Sequence, residues 1–339
     1  MHLLKFIGTR LLQGIMVLVG LSLVIFIIAR VVPGDPARLA LGSIASEEQV
    51  AEFRTKMGLD KPIYTQYWLW LQHAVQGDLG MSLVTRRPVM QDIIQFFPAT
   101  LELCLMSLVF EGVLGILLGV IAGRFANSWV DNAIRVLSYI GVVTPPFVFG
   151  ILFMLFFGYL LHWLPSIGQL SPGIIGPPRI TGLIVFDSMI NGNFTAARDA
   201  FLHLLLPALS LAMGGLAQDA RITRSSIVDN TGKDYISALK SCGVPNRLIM
   251  FKYLLKPSLI PTVSVMGLSF AYTFSNAFLL EVIYGWPGMS RYGMNAILNK
   301  DLNAMVGVVM VLGVIFVLVN LLVDIIITYL DPRIRLRTQ

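Results

Sequence analysis

The stretch LLQGIMVLVGLSLVIFIIA, residues 11–29, carries no charged residue and is rich in branched apolar side chains. A helix of about 20 mostly apolar residues is long enough to cross the hydrocarbon core of a bilayer. No small-residue cleavage site of the A-x-A type follows this run, so we expect a retained first membrane helix rather than a removed signal peptide. The run therefore predicts an integral membrane fold.

The composition of the whole chain supports several spans. Hydrophobic residues make up 56% of the 339 residues and charged residues 13%, about half of the roughly 25% found in soluble domains. This balance excludes an ordinary soluble enzyme. The net charge of +6 is spread over loops, so we expect contact with membrane lipid and no binding of nucleic acid. Cys104 and Cys242 lie in different contexts, and we expect two free thiols.

Six segments are apolar and long enough to span a membrane, and the chain is predicted to be all-α. They are residues 10–31, 99–123, 135–162, 201–219, 259–282 and 304–330. We predict two parts, 1–98 with the first transmembrane helix and an extracytoplasmic helical segment, and 99–339 with the five other spans.

Polar segments separate these spans. In residues 32–98, Ser46 and Gln49 predict a capping box and Gly58 the end of that short helix. The aromatic stretch 63–75 predicts a helix at the membrane surface, and another helical turn starts at Pro88. Residues 163–200 predict an irregular ordered cap.

The distribution of Lys and Arg predicts the orientation. If the N-terminus is cytoplasmic, the inside segments carry fourteen Lys and Arg residues, and the two shorter outside loops carry four. Both termini are therefore expected in the cytoplasm. A long outside loop such as 32–98 is translocated largely regardless of its charge.

Residues 234–257 form an unusual basic segment, the basic hairpin. Tyr235, Ala238 and Leu239 lie at helical spacing before Gly243, and Pro245 stands where a second helix can start. We predict a short helix, a glycine turn and a second helix that continues into a span. The hairpin either fixes topology and contacts anionic lipid or docks a partner protein.

Glu111 lies near the middle of the second predicted span. A centred charge costs about 2.5–3.5 kcal/mol on insertion scales, so we expect its side chain to face protein or water. It is either a pathway-facing carboxylate that attracts a cationic group of the solute or a protonated or hydrogen-bonded contact between helices. Nearby, Gly115, Gly119 and Gly123 repeat every four residues and predict close helix packing. Pro145 and its neighbour Pro146 predict a break in the third span.

Short motifs recur in a fixed order along nearly the whole chain. They are PGDPARL (33–39), GLDKPIYTQYW (58–68), GDLGMSL (77–83), PATLEL (98–103), LLPALSLA (205–212), RITRSSIVDNTGKDYISALKSCG (221–243), YGWPGMSR (284–291) and DPRIR (331–335). With these motifs the chain resembles the binding-protein-dependent ABC-transporter permeases, most closely their dipeptide, oligopeptide and nickel branch.

The resemblance implies a type I ABC importer permease fold: six transmembrane helices with a cytoplasmic coupling-helix loop at about 221–257. It implies a multi-pass protein of the bacterial plasma membrane that imports short peptides or similar small solutes. The implied partners are a second homologous permease in a heterodimer, two ATP-binding subunits and an extracytoplasmic solute-binding protein. The chain itself would be non-catalytic and hold no cofactor, with ATP and Mg on the ATPases. No phosphate loop of the G-x-x-x-x-G-K-[ST] type occurs in the sequence.

Within the loop, the resemblance assigns ATPase coupling to six residues. Asp234 and Tyr235 start the helix, Ala238 is a close-packing contact, Gly243 is the turn, and Lys240 and Arg247 are polar contacts to the ATPase. For Lys240 and Arg247 a solvated face is the alternative. For the whole chain, the alternative is an ion-coupled secondary transporter that uses Glu111 as its coupling acid.

Overall fold

The computed structural model describes residues 2–31, 38, 45–56 and 60–330, and apart from loops this part of the chain is helical. The α-helices are α1 His2–Val31, α2 Glu47–Lys56, α3 Ile63–Val75, α4 Val89–Arg124, α5 Trp129–Val143, α6 Pro146–Phe153, α7 Ile184–Ile190, α8 Phe194–Thr231, α9 Asp234–Ser241, α10 Asn246–Leu248, α11 Leu255–Ile283, α12 Met289–Leu298 and α13 Leu302–Leu330. Two π-helical segments, Met154–Leu160 and Ile249–Leu254, follow α6 and α10. The predicted all-α class is confirmed.

Within the described residues, five stretches are long and apolar enough to span a membrane. They are Ile7–Ile28, Val89–Arg124, Phe194–Thr231, Asn246–Ile283 and Leu302–Ile325. A sixth span results if Trp129–Val143 and Pro146–Leu160 are counted together, although the two halves bend by 107°. The bend lies at the predicted break, where Thr144 and Pro145 are extended, with ψ values of 124° and 142°. A residue before proline avoids the helical region, and proline has no N–H for a helical hydrogen bond.

Two predicted boundaries were wrong, because helices extend beyond them. The helical turn predicted at Pro88 does begin there, but the span predicted to start at residue 99 continues from it, and the two form one 36-residue helix, α4, with Pro98 in its interior. The predicted irregular cap 163–200 contains α7 and the start of α8. The side chain of Asn193 accepts a hydrogen bond from the backbone of Ala196 at 3.1 Å and caps α8 well before its apolar stretch begins.

The described residues divide into two compact units. Unit 1 comprises 1–98 and 287–318, and unit 2 comprises 99–286 and 319–339. The predicted functional division at residue 98 stays a prediction.

In unit 1, local signals are confirmed at α2 and α3. Gln49 and Ser46 exchange the two bonds of a capping box, at 3.0 and 3.3 Å. The aromatic stretch 63–75 is helical, and Tyr67 packs against Phe26 of α1 with ring centroids 5.4 Å apart. Gly58, the predicted end of α2, lies outside the described residues.

Asp301 organises another part of unit 1. Its carboxylate is fully buried and accepts hydrogen bonds from Ser82 Oγ at 2.6 Å and from the backbone of Leu83 at 2.7 Å. It also accepts a hydrogen bond from the backbone N–H of Ala304 at 3.1 Å, so Asp301 is the N-cap residue of α13. One acid therefore joins the turn before α4 to the start of α13.

In unit 2, α4 lies directly against α8, as the glycine repeat predicts. A Cβ atom on Gly115 would lie 3.0 Å from the Leu216 carbonyl oxygen, and one on Gly119 would lie 2.7 Å from that of Ala220. Only glycine leaves room for this approach.

An ion pair joins α5 to α8 in the same unit. Arg224 of α8 donates from Nε and Nη2 to the two oxygens of Asp131, at 3.0 and 2.7 Å. Asp131 is fully buried and also accepts a bond from the backbone of Asn127 at 2.8 Å. The bidentate geometry fixes both position and rotation of the two side chains.

Candidate functional site

The basic hairpin is a closed helical turn. α9 begins at Asp234, an acid that suits the positive end of a helix, and its exit is a Schellman motif. The backbone N–H of Gly243 donates to the carbonyl of Lys240 at 3.0 Å, and that of Val244 donates to Leu239 at 3.1 Å. Gly243 has a φ of 72°, a left-handed conformation that glycine adopts at little cost.

The hairpin carries its own apolar core. Ile236, Ile249 and Leu254 are buried together, and Leu239 and Val244 pack against them. Ile236 has no exposed surface, although it sits on a helix of only eight residues. Because a short isolated helix is unstable in water, this cluster is what holds α9 in place.

All six predicted coupling residues lie on the outside of this core. Asp234, Tyr235, Ala238, Lys240, Gly243 and Arg247 are all exposed. Of the three residues noted at helical spacing, Leu239 packs against this core, whereas Tyr235 and Ala238 are exposed and Ile236 is buried instead. The pair Ile236 and Leu239, three residues apart, was the signal for the buried face.

Sequence reasoning also missed two exposed apolar side chains on the hairpin. Leu248 is 44% exposed and Phe251 is 60% exposed. Lys240 and Arg247 make no ion pair with any described residue. The outer surface therefore combines exposed apolar side chains with two cations that have no ion-pair partner among the described residues, which suits contact with a partner protein or with anionic lipid.

Glu111 lies inside unit 2 and faces a second acid that the sequence analysis did not identify. Its side chain is 2% exposed, and Asp219 of α8 is fully buried. A Cβ atom on Gly215 would collide with the Glu111 carboxylate, so that carboxylate lies against the backbone of α8. Asp219 follows Gly215 by four residues and therefore lies one turn further along the same side of α8. Glu111 therefore lies between two helices, but its Oε1 and both Asp219 oxygens have no hydrogen-bond partner among the described residues, and the pathway role of Glu111 stays a prediction.

Two further acids organise the segment before α8. Glu102 accepts hydrogen bonds from the backbone of Ile184 at 3.0 Å and of Val185 at 2.9 Å, at the start of α7. Asp187 accepts bonds from the Thr181 hydroxyl at 2.7 Å and from the backbone of Gly182 at 2.9 Å. Burial acts to raise the pKa of Asp187, but these hydrogen bonds outweigh it, and the pKa lies below its ordinary value of 3.8.

No cluster of three or more His, Cys, Asp or Glu side chains suited to a metal ion occurs among the residues that the structure describes. Cys104 is buried and Cys242 is exposed, and both are free thiols, as predicted.

Two family models together match most of the chain. Residues 115–336 match the binding-protein-dependent transport system inner membrane component, and residues 3–104 match the N-terminal part of a membrane component of such systems. A probable D,D-dipeptide transport system permease protein of Escherichia coli is 37% identical over 94% of each chain. A dipeptide transport system permease protein of Alkalihalophilus pseudofirmus is 36% identical over 98% of this chain and 100% of that protein. A glutathione transport system permease protein of Escherichia coli is 31% identical over 98% and 99%.

Proposed function

The chain belongs to the family of binding-protein-dependent transport system inner membrane components, and we propose that it conducts short peptides across the membrane. It is the permease subunit of an ATP-driven ABC importer, with the type I permease fold, and ATP hydrolysis belongs to separate ATPase subunits. The observation that carries the peptide assignment is similarity over at least 94% of the chain to permeases named for dipeptides. Glutathione, named for a third relative, is also a short peptide.

Family membership implies a partner permease, an ATPase and a solute-binding protein. We infer a heterodimer of two homologous permeases, two ATPase subunits that carry ATP and Mg, and an extracytoplasmic binding protein. Both termini then lie in the cytoplasm of a bacterium, as the Lys and Arg distribution predicts. Residues 1–98 form the first span and an extracytoplasmic segment, and 99–339 form the core domain.

The basic hairpin transmits force from the ATPase in this proposal. Its own core, Ile236, Ile249 and Leu254, keeps the short helix rigid before any partner binds. Asp234, Tyr235, Ala238 and Gly243 form the exposed contact surface, while Lys240 and Arg247 face acidic groups of the ATPase. A preformed surface loses little conformational freedom on docking, so movement of the ATPase reaches the spans rather than deforming the hairpin.

For Glu111 we favour the contact between helices over the pathway. A side chain that is 2% exposed in the subunit reaches a solute only if the helices of its own subunit separate. Glu111→Gln should therefore leave the ratio of the import rates of cationic and neutral peptides unchanged. A selective loss of cationic peptides would restore the pathway role. The ion-coupled alternative is set aside, because the family is driven by ATP.

Peptide-stimulated ATP hydrolysis by the purified, reconstituted transporter tests the proposal. The informative variant is Gly243→Pro, because proline holds φ near −65° and lacks the N–H that bonds to Lys240. The matched control is Gly243→Asn, since asparagine tolerates the left-handed region.

We expect peptide-loaded binding protein to stimulate wild type and Gly243→Asn. Gly243→Pro should assemble with the ATPases but lose the stimulation. Full stimulation in Gly243→Pro would remove the hairpin as the coupling element. The peptide assignment would be wrong if the loaded binding protein stimulated ATP hydrolysis by wild type only when its solute was not a peptide.

A further inference from the structure

Helix α7 turns its apolar residues outward. Phe186 is 50% exposed, Met189 and Ile190 are each 55% exposed, and no other residue of α7 is exposed. Its two polar residues, Asp187 and Ser188, are buried. A helix at the surface of a soluble protein shows the opposite arrangement, with its polar residues outside. We therefore expect the surroundings of α7 to be apolar.

The polar side chains of α7 find their partners inside the segment. The Ser188 hydroxyl donates a hydrogen bond to the carbonyl of Ile184 at 2.7 Å. The Asp187 carboxylate accepts bonds from the backbone N–H groups of Ile180 and Thr181, at 3.0 and 2.9 Å. A polar group away from water needs such partners, because burying it unpaired is costly. The segment is thus suited to surroundings without water.

Glu102 fixes the depth of α7 in the membrane. Its carboxylate accepts hydrogen bonds from the first two backbone N–H groups of α7, those of Ile184 and Val185, so α7 begins beside Glu102 on α4. At 1.5 Å per residue, Glu102 lies about 33 Å along the helix axis from Arg124. The hydrocarbon core is about 30 Å thick, so a helix with Arg124 at one boundary has Glu102 at the other. α7 therefore lies where acyl chains meet headgroups.

The apolar surface of α7 continues that of α4. Val109 and Val113 follow Glu102 by seven and eleven residues, and these separations place all three on one side of α4. Both valines are exposed, and every exposed residue of α4 between Glu102 and Arg124 is apolar. The exposed side chains of α7 thus extend a surface that crosses the hydrocarbon core as far as the membrane boundary.

A polar border with one cation follows α7. The exposed residues of the turn after α7 and of the start of α8 are Asn191, Gly192, Phe194, Thr195 and Arg198. Arg198 makes no ion pair with any described residue, and it lies one turn after Phe194 on the same side of α8. A cation beside an apolar surface at the membrane boundary attracts anionic headgroups. Charge and apolar surface therefore fit the same partner, an anionic phospholipid.

We propose that α7 is an anchor in the membrane interface: Phe186, Met189 and Ile190 lie between lipid acyl chains, and Arg198 binds the phosphate of an anionic phospholipid. The inference goes beyond peptide import, because it depends on the position of the subunit in the membrane and not on the solute. Such a segment binds a bilayer more strongly as its buried apolar area and the share of anionic lipid increase. The second permease would be the other occupant of this surface, and it would have to supply an acid for Arg198.

Spin labels on single cysteines in the assembled transporter, reconstituted in vesicles, test this placement. In a Cys242→Ser background, with partner subunits free of accessible cysteines, Cys104 is fully buried and stays unlabelled. Met189→Cys probes α7, Thr195→Cys the polar border, and Val109→Cys the exposed side of α4. Collisions with oxygen report acyl chains and collisions with a polar nickel chelate report water, because polar solutes are excluded from hydrocarbon.

We expect the ratio of oxygen to chelate collisions at Met189→Cys to lie between those at Val109→Cys and Thr195→Cys, and to exceed the latter at least about threefold. A ratio equal to that at Thr195→Cys would place α7 in water and overturn the inference. Few collisions with either reagent would place α7 against the second permease, and would overturn it as well. Ile190→Cys repeats the measurement on the neighbouring exposed side chain if Met189→Cys does not assemble.

Arg198→Gln tests the contact with the headgroup. In vesicles that contain phosphatidylglycerol, this variant should lower the collision ratio at Met189→Cys at least about twofold, whereas Arg198→Lys keeps the charge and should retain the ratio. In vesicles of phosphatidylcholine alone, Arg198→Gln should have no effect. An equal fall in both kinds of vesicle, or no fall in either, would overturn the assignment of Arg198 to an anionic headgroup.

Discussion

Removing the Asp131 carboxylate should destabilise the packing of α5 against α8 by about 3–5 kcal/mol, the range for loss of one partner from a buried ion pair. Asp131 is fully buried and receives both guanidinium bonds of Arg224, at 3.0 and 2.7 Å. Asp131→Ala leaves this guanidinium, whose side chain is 19% exposed, without its anion. The backbone N–H of Asn127 also loses its acceptor, which adds about 1 kcal/mol.

Thermal unfolding in detergent measures this loss, with a fluorogenic thiol dye that reports exposure of the buried Cys104 in a Cys242→Ser background. We expect the Tm of Asp131→Ala to fall by about 6–10 °C. The double variant Asp131→Leu with Arg224→Met removes this pair and should recover part of the loss, because paired apolar replacements are often neutral. The remainder reflects Arg135, which lies 3.5 Å from Asp131, and the backbone N–H of Asn127, since both still lose their partner. A fall of less than about 2 °C in Asp131→Ala would refute the assignment of this pair as a main link between the helices.

Three other expectations follow from buried acids and one glycine. Asp301→Ala should lower the free energy of unfolding by about 2–4 kcal/mol, because several buried hydrogen-bond donors lose their common acceptor. Cleavage by trypsin after Arg86 should then be faster than in wild type. The increase should be smaller in Asp301→Asn. The pKa of Asp187 in the folded protein lies below 3.8, its ordinary value in the unfolded chain. The ionised carboxylate therefore contributes its full stabilisation to the folded state well above pH 3.8. This contribution falls as the pH drops through 3.8 and then through the folded-state pKa. The Tm advantage of wild type over Asp187→Asn should therefore be constant at neutral pH and shrink below about pH 4. Gly119→Ala should lower the Tm, since its Cβ would lie 2.7 Å from the backbone carbonyl oxygen of Ala220. An unchanged Tm in Gly119→Ala would contradict the close packing of α4 on α8.

Local features were predictable from the sequence because each depends on neighbouring residues. The capping box of Ser46 and Gln49, the left-handed turn at Gly243 and the break at Pro145 all occur where their residue types require them. Helix ends were less predictable. The span predicted to start at residue 99 belongs to a helix that already begins at Val89 and runs through Pro98.

Contacts between distant segments were not predictable from the sequence. Nothing near Glu111 in the sequence indicates that Asp219 lies opposite it, and nothing near Asp131 indicates Arg224. Such pairs depend on which faces of two helices meet. An error of one residue in assigning the buried face of a helix changes which side chains are predicted to be in contact. The basic hairpin shows this, because the structure buries Ile236 rather than the adjacent Tyr235.

The contact of α4 with α8 limits how the subunit can move. At Gly115 and Gly119 the space between the helices is too small for a methyl group, since its carbon would lie 3.0 and 2.7 Å from carbonyl oxygens of α8. Sliding or rolling one helix over the other would drive the backbones into each other, and close-packed interfaces change by discrete jumps rather than by gradual deformation. We therefore expect α4 and α8 to move together as one rigid pair during transport. Bending that opens and closes the route is then expected elsewhere, for example at the 107° bend between α5 and α6.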